Sequence, residues 1–309
     1  FVRDRAALVA FAQESISRGS KSFRFASRLF DRITRERVWL LYAWCRKCDD
    51  MADGQNHGGA MEAVTDPQAR LQVIRELTAM ALAGTPTSDP AIDCLGVVAN
   101  ECGITSRMAE DVIEGFALDA ADWRPRRESD LYQYCYHVAG AVGVMMAVVM
   151  GVPADDDATL DRACDLGLAF QLANIARDIA EDDAAGRCYL PDDWLAMLDI
   201  GPGEHMKPHN RKKLALIGRW LADEAEQYEA SARVGAKHLP LRARWAVLSA
   251  AGIYGEIARK VRAAQAHAWD QRIFTSRPEK FRWVRKAFVD AIANNPRDTN
   301  RDMLWTRVR

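Results

Sequence analysis

Gln171, Asn174, Asp178 and Asp182 recur at spacings of 3, 4 and 4. On a helix of about 3.6 residues per turn they share one face. Leu168, Leu172, Ile175 and Ile179 form an apolar stripe about 100° away. The polar face is unlike a solvated one, where long Lys and Glu side chains mix. All four of its side chains are short and carry oxygen acceptors. Two carboxylates four residues apart repel by roughly a few tenths of a kcal/mol, and acids near a helix C-terminus also oppose its dipole. A divalent cation would offset both. An ordinary amphipathic helix that ends in acidic residues is the alternative the pattern leaves open.

A second stretch answers the first. Tyr42, Arg46, Asp49, Asp50 and Asp53 fall on one side of another helix, and Gly54 follows as a natural stop. Asp49 and Asp53 repeat the four-residue carboxylate pair. Magnesium takes oxygen ligands, needs one or two carboxylates and keeps room for substrate phosphates. Two such pairs facing across a cavity would hold several ions around a diphosphate and turn it into a leaving group.

The elements that must position these residues are helical throughout. Apolar residues repeat at three and four, no β-branched runs alternate with them, and no Gly-rich phosphate loop is present. Helices are predicted at 5–18, 70–84, 90–102, 207–237, 241–270 and 278–293. Further helices start near Thr34, Thr105 or Ser106, and Asp130. Ser20, Lys21, Ser22 and Phe23 break the first helix. Two hydroxyls and a lysine before an aromatic suit a phosphate contact above an apolar pocket, and a plain helix cap explains them equally well. Tyr134, Val138, Val142, Met145 and Val149 are predicted along one face, beside the small residues Ala139, Gly140 and Gly143. Tyr134 is either a satisfied core tyrosine or a polar group aimed into an apolar cavity. The polar tail 294–309 is expected to order only by docking.

With 309 residues, 49% of them hydrophobic, the chain is long enough for one large core. Its formal net charge of −1 argues against a nucleic-acid binder. Seven scattered cysteines read as reduced thiols of a cytoplasmic protein. The charge-free run 138–152 falls short of the ~20 residues that span a bilayer, so a buried helix is expected there, compatible with a peripheral place on the inner membrane face. Nothing in the sequence fixes an oligomeric state.

The motifs together resemble a family: the squalene and phytoene synthases, which join two prenyl diphosphates head to head, and among them the bacterial phytoene synthases most. The resemblance runs from Ser20-Lys-Ser-Phe23 through Leu41-Tyr-Ala-Trp-Cys-Arg-Lys-Cys-Asp-Asp50, Tyr134-Cys-Tyr-His-Val-Ala-Gly-Ala-Val-Gly143 and Gln171-Leu-Ala-Asn-Ile-Ala-Arg-Asp178 to Ile253-Tyr-Gly-Glu-Ile257. It implies a single all-α isoprenoid synthase domain over 1–309, with helices around a central cavity. It implies that Asp49, Asp53, Asn174, Asp178 and Asp182 hold Mg2+, or Mn2+ in its place. Ser20, Ser22, Arg46, Arg177, Tyr254 and Arg272 would meet diphosphate. Tyr134 would lie near the reacting carbons and Gln171 in the same region, with Phe23 and Tyr42 completing the substrate set. The first motif departs from bacterial relatives, which often carry another acid after Asp53. Ser27 stands where some relatives have an aromatic that shortens the chain pocket.

The implied reaction condenses two geranylgeranyl diphosphates to 15-cis-phytoene through prephytoene diphosphate, without NADPH. A C30 enzyme making squalene or dehydrosqualene from farnesyl diphosphate is the nearest competitor. A non-catalytic scaffold of the same fold is the competitor from another class, and the four metal aspartates argue against it. A di-iron carboxylate bundle would need Glu-x-x-His pairs, which are absent from the sequence.

Overall fold

Helix starts and stops follow short polar side chains. In the computed structural model, which describes residues 4–19, 26–53, 66–121 and 123–308, helices and loops make up the whole of the described chain. Contacts divide it into two compact units, Phe1–Ala121 with Val144–Leu160, and Asp122–Gly143 with Asp161–Arg309.

The first unit contains α1 (Arg5–Gly19), α2 (Arg32–Asp53), α3 (Pro67–Leu82), α4 (Pro90–Cys102) and α5 (Ser106–Ala120). Asp31, not Thr34, starts α2: its carboxylate accepts the Thr34 backbone N–H at 3.0 Å and the Thr34 hydroxyl at 2.7 Å. Asp has the stronger acceptor, and three residues ahead of Thr34 it is in register to cap the first turn. Asp66, Asp89 and Thr105 cap α3, α4 and α5 in the same way. The inner stripe of α2 is expected at Val38, Leu41 and Cys45; Val38 and Leu41 are buried, but Cys45 is only half-buried, and Cys48 continues the buried stripe in its place. Trp44 is buried with them, and its indole N–H reaches Thr78 Oγ1 on α3 at 3.2 Å. Arg5 on α1 and Arg37 on α2 converge on Glu101 of α4, and Arg5 also meets Glu36 at 2.7 Å. This partly buried network ties the three helices that hold the first aspartates in place.

The second unit contains α6 (Glu128–Cys135), most of α8 (Asp157–Ala184), α9 (Asp192–Met197), α10 (Arg211–Gly235), α11 (Leu241–Ala264) and α12 (Arg277–Ala293); α7 (Ala141–Val149) is divided between the units. α6 begins at Glu128, three residues before the expected start, because Asp130 caps from inside the first turn. Its carboxylate accepts the backbone N–H of Arg126 and of Arg127, at 2.9 and 3.0 Å. The predicted face through Tyr134, Val138 and Val142 is interrupted. Tyr136–Gly140 is one turn of π-helix, which adds a residue to the turn and shifts the register, so Tyr134 is buried while Val138 and Val142 are only half-buried.

The small residues around this turn serve helix approach. A side chain at Gly143 would lie 2.6 Å from the Ala163 carbonyl oxygen, and one at Gly167 would lie 2.4 Å from that of Ala139. Gly140 faces Cys164 and Leu168. These glycines are therefore positions of close helix approach, with no room for a void beside them. They bring the 136–143 segment against α8. The tail docks as expected. Arg301 forms a two-pronged pair with the buried Asp165 of α8, at 2.7 and 2.8 Å, and Arg307 meets Asp161 at 2.8 Å. All seven cysteines are free thiols.

The contacts at Gly167 are with backbone atoms, which cannot yield. Gly167→Ala is therefore expected to destabilise the protein by about 1–3 kcal/mol through overpacking, read as a lower urea midpoint with an unchanged slope.

Candidate functional site

The expected polar face of α8 is present, and its oxygens have unequal partners. Arg177 reaches the neighbouring Asp178 with two hydrogen bonds, one at 2.7 Å, and Arg272 adds a contact at 3.0 Å. Arg272 also reaches Glu181 at 3.2 Å. The hydrogen bonds that it donates to Asp178 hold the Arg177 guanidinium above its ordinary range. Asp182 is one turn further on. Burial first, and the Asp178 charge second, push its carboxyl from 3.8 up to about 6, against the pull of Arg187. Asn174 Oδ1 is buried and has no hydrogen-bond partner among the described residues.

A buried amide oxygen without a donor costs about 1–3 kcal/mol. Here it shares a helix face with two carboxylates, one of which resists ionising. A hard cation would satisfy all three, so the donor set fits Mg2+ or Mn2+. Among the described residues no three His, Cys, Asp or Glu side chains enclose a cation by themselves.

In the other unit, Arg46 of α2 donates to Asp49 at 2.8 Å and to Asp50 at 2.6 Å. Asp50 is nearly covered, whereas the Asp49 side chain is 40% exposed and can still turn to a ligand. Tyr42 lies one turn earlier. Burial raises its phenol pKa and the Arg46 charge opposes the rise. Asp53 is the last residue of α2, and its side chain lies outside the described structure, as do Ser20, Ser22 and Phe23.

Tyr134 is 3% exposed and is stacked between two rings. Trp123 lies 5.4 Å away at 13°, and Tyr189 lies 4.9 Å away at 22°. Tyr254 stacks on Phe170 at 4.3 Å, one turn before Asn174 on α8. Gln171 is half-buried beside that turn. Trp123 escaped the sequence reading because it stands outside any helix and has no periodicity. Glu181 was inside the motif but was given no partner. Ser27 is wholly buried, and its hydroxyl accepts the Trp39 indole N–H at 3.0 Å. An aromatic there would overfill a packed position and strip that partner as well.

The fold is that of the isoprenoid synthases. A family profile described as squalene/phytoene synthase matches residues 16–279, and the chain belongs to that family. It is 47% identical over 304 residues to a phytoene synthase of Pseudescherichia vulneris, covering 97% of this chain and 98% of the relative. It is 46% identical over 307 residues to a 15-cis-phytoene synthase of Pantoea ananas, at the same coverage. Among solved structures, a dehydrosqualene synthase in complex with ligand superposes with a TM-score of 0.80 at 26% identity, over 94% of this chain and 98% of that one.

Asp182 titrates above its ordinary value, so between 3.8 and about 6 the folded protein holds a proton that the unfolded chain has released. Stability contributed by this group therefore falls as pH rises through that window. Asp182→Asn is expected to flatten the slope and to raise the stability of chelator-treated protein at neutral pH. Urea melts across the window check this, and an unchanged slope would assign it to another group.

Proposed function

We propose that this chain is a 15-cis-phytoene synthase, a transferase that joins two geranylgeranyl diphosphates head to head. The observation that carries the reading is the α8 donor face, with its unpartnered Asn174 oxygen beside two repelling carboxylates. Near-full-length relatives named phytoene synthase support the product. Residues 1–309 act as one catalytic domain in this reading. Asp49 and Asp53 hold one set of metal ions, and Asn174, Asp178 and Asp182 the other.

Bound Mg2+ would supply electrostatic stabilisation to the departing diphosphate. The chain's own residues do the rest. Arg46, Arg177 and Arg272, now paired with carboxylates, are the cations available to phosphate oxygens, and guanidinium is well matched to them. Tyr254 and the Ser20 and Ser22 hydroxyls add donors. The stacked rings of Trp123, Tyr134 and Tyr189 offer a rigid aromatic wall that disfavours water, and an outer ring face of the stack favours a nearby carbocation. Gln171, Tyr42 and Phe23 complete the substrate surroundings. The first prenyl cation is attacked by the double bond of the second substrate, and proton loss closes the cyclopropane of prephytoene diphosphate. A second ionisation, rearrangement and proton loss give phytoene. No hydride enters, so NADPH has no role. No helix among the described residues is long and apolar enough to cross a membrane, and a peripheral place on the inner face suits an oily product.

Incubation of the purified protein with Mg2+ and each prenyl diphosphate in turn tests the reading. The C20 substrate is expected to outrun the C15 substrate, with NADPH changing neither rate nor product. A reduced C30 product appearing only with NADPH would assign a squalene-type enzyme. Asp49→Asn and Asp178→Asn should each lower turnover by about 10²-fold or more, and near-normal turnover in either would remove the metal assignment.

Tyr134→Phe keeps the stack and removes only the hydroxyl. It is expected to lower kcat with little change in KM, and prephytoene diphosphate should accumulate. A change confined to KM would place Tyr134 in substrate binding.

A further inference from the structure

The α12 helix, Arg277–Ala293, has two faces that are both apolar. Its inner face packs on α11. Ala287 and Ala291 are buried against Leu248 and Ala236, and Trp245 donates to the Val284 carbonyl at 2.9 Å. The outer face carries Phe281, Val289 and Ile292, which are 66, 65 and 59% exposed, while Phe288 at its edge packs against Trp245 with ring centroids 5.0 Å apart. Phe274, 67% exposed, precedes the helix. Phe281, Arg285, Val289 and Ile292 follow spacings of 4, 4 and 3, which is one continuous helical stripe. An amphipathic helix on a soluble core normally hides such a stripe; this one hides another and displays it.

The charge on this helix points to what covers the stripe. Its cations are Arg277, Lys280, Arg282, Arg285 and Lys286, against only Glu279 and Asp290, on a chain of net charge −1. Arg282 pairs with Glu256, and Lys286 with Asp290. Arg277, Lys280 and Arg285 make no ion pair among the described residues, and Arg285 lies within the apolar stripe itself. Exposed aromatic and aliphatic side chains with unpaired cations among them match the boundary between anionic headgroups and acyl chains. The match to the family profile ends at residue 279, so nearly all of this helix lies beyond it.

We propose that the outer face of α12 docks the protein on an anionic membrane surface. Phe281, Val289 and Ile292 enter the acyl boundary, and Arg277 and Arg285 meet lipid phosphates. This deepens the peripheral association proposed above and rests on it. The test is flotation of the full chain with vesicles of phosphatidylcholine alone and of phosphatidylcholine with phosphatidylglycerol. The wild type should bind the anionic vesicles and release at high salt. Arg277→Glu with Arg285→Glu should weaken that binding by about tenfold or more, and Phe281→Asn with Val289→Asn and Ile292→Asn should weaken it comparably. Equal binding to both vesicles, or binding unchanged in both variants, overturns the proposal. So does a wild-type dimer in sedimentation that the asparagine variant loses, because the face would then belong to a second copy. Turnover of detergent-dispersed geranylgeranyl diphosphate should be the same in wild type and variants. Failure of the wild type itself to form a hydrocarbon would overturn the enzymatic reading and leave the vesicle result to stand by itself.

Discussion

Carboxylates held close together on helix faces, and the counter-charge they demand, shape both carboxylate clusters. On α8, Asp178 and Asp182 repel each other across one turn, and the protein answers them differently. Asp178 receives two guanidinium groups, from Arg177 and Arg272. Among the described residues Asp182 receives none at hydrogen-bond range, and it is left a weak acid by burial. On α2, Arg46 spans Asp49 and Asp50 and settles that face from within a single helix. The same arginines that neutralise the carboxylates are the groups best suited to a diphosphate. Under the proposed function, a diphosphate arriving with its metal would exchange partners: metal for carboxylate, arginine for phosphate. Such an exchange favours binding of the two together over either one separately.

Holding these faces requires stiffness elsewhere, and α8 obtains it at its other end. Asp161 and Asp165, roughly two and a half to three and a half turns before Asn174, are clamped by Arg307 and Arg301 from the tail. Ser231 of α10 donates to the same Asp165. Further along, Trp269 holds the Ala176 carbonyl at 2.9 Å. The close approach of the 136–143 segment at Gly143 and Gly167 brings the π-turn against the same helix. Tyr134 comes directly before that turn, so its stacked position is tied to the helix that carries Asn174, Asp178 and Asp182. A buried carboxylate such as Asp165 is costly unless paired and hydrogen-bonded, which makes the tail part of the structure of this unit.

Much of the chemistry was legible in the sequence because it is local. The spacing of Gln171, Asn174, Asp178 and Asp182 places them on one face whatever surrounds the helix, and the same holds for Arg46, Asp49 and Asp50. Helical periodicity survives translation into structure for the same reason: the core of α2 runs through Val38, Leu41 and Cys48. The all-α class and the membership of the squalene/phytoene synthase family followed from such runs and motifs.

The tertiary structure decided whatever depends on residues distant in the chain. Small residues at 139–143 were equally consistent with a void or with a close helix. Only the position of the Ala163 carbonyl shows that a helix is there. A π-turn leaves no reliable mark in the hydrophobic pattern, so the predicted stripe through Val138 and Val142 continued past the point where the register changes. Trp123 and Tyr189, which sandwich Tyr134, sit in irregular segments that periodicity does not describe. The orphaned oxygen of Asn174 was the most informative of these. A sequence supplies the amide, but only the packing around it determines whether water or a neighbour can satisfy it.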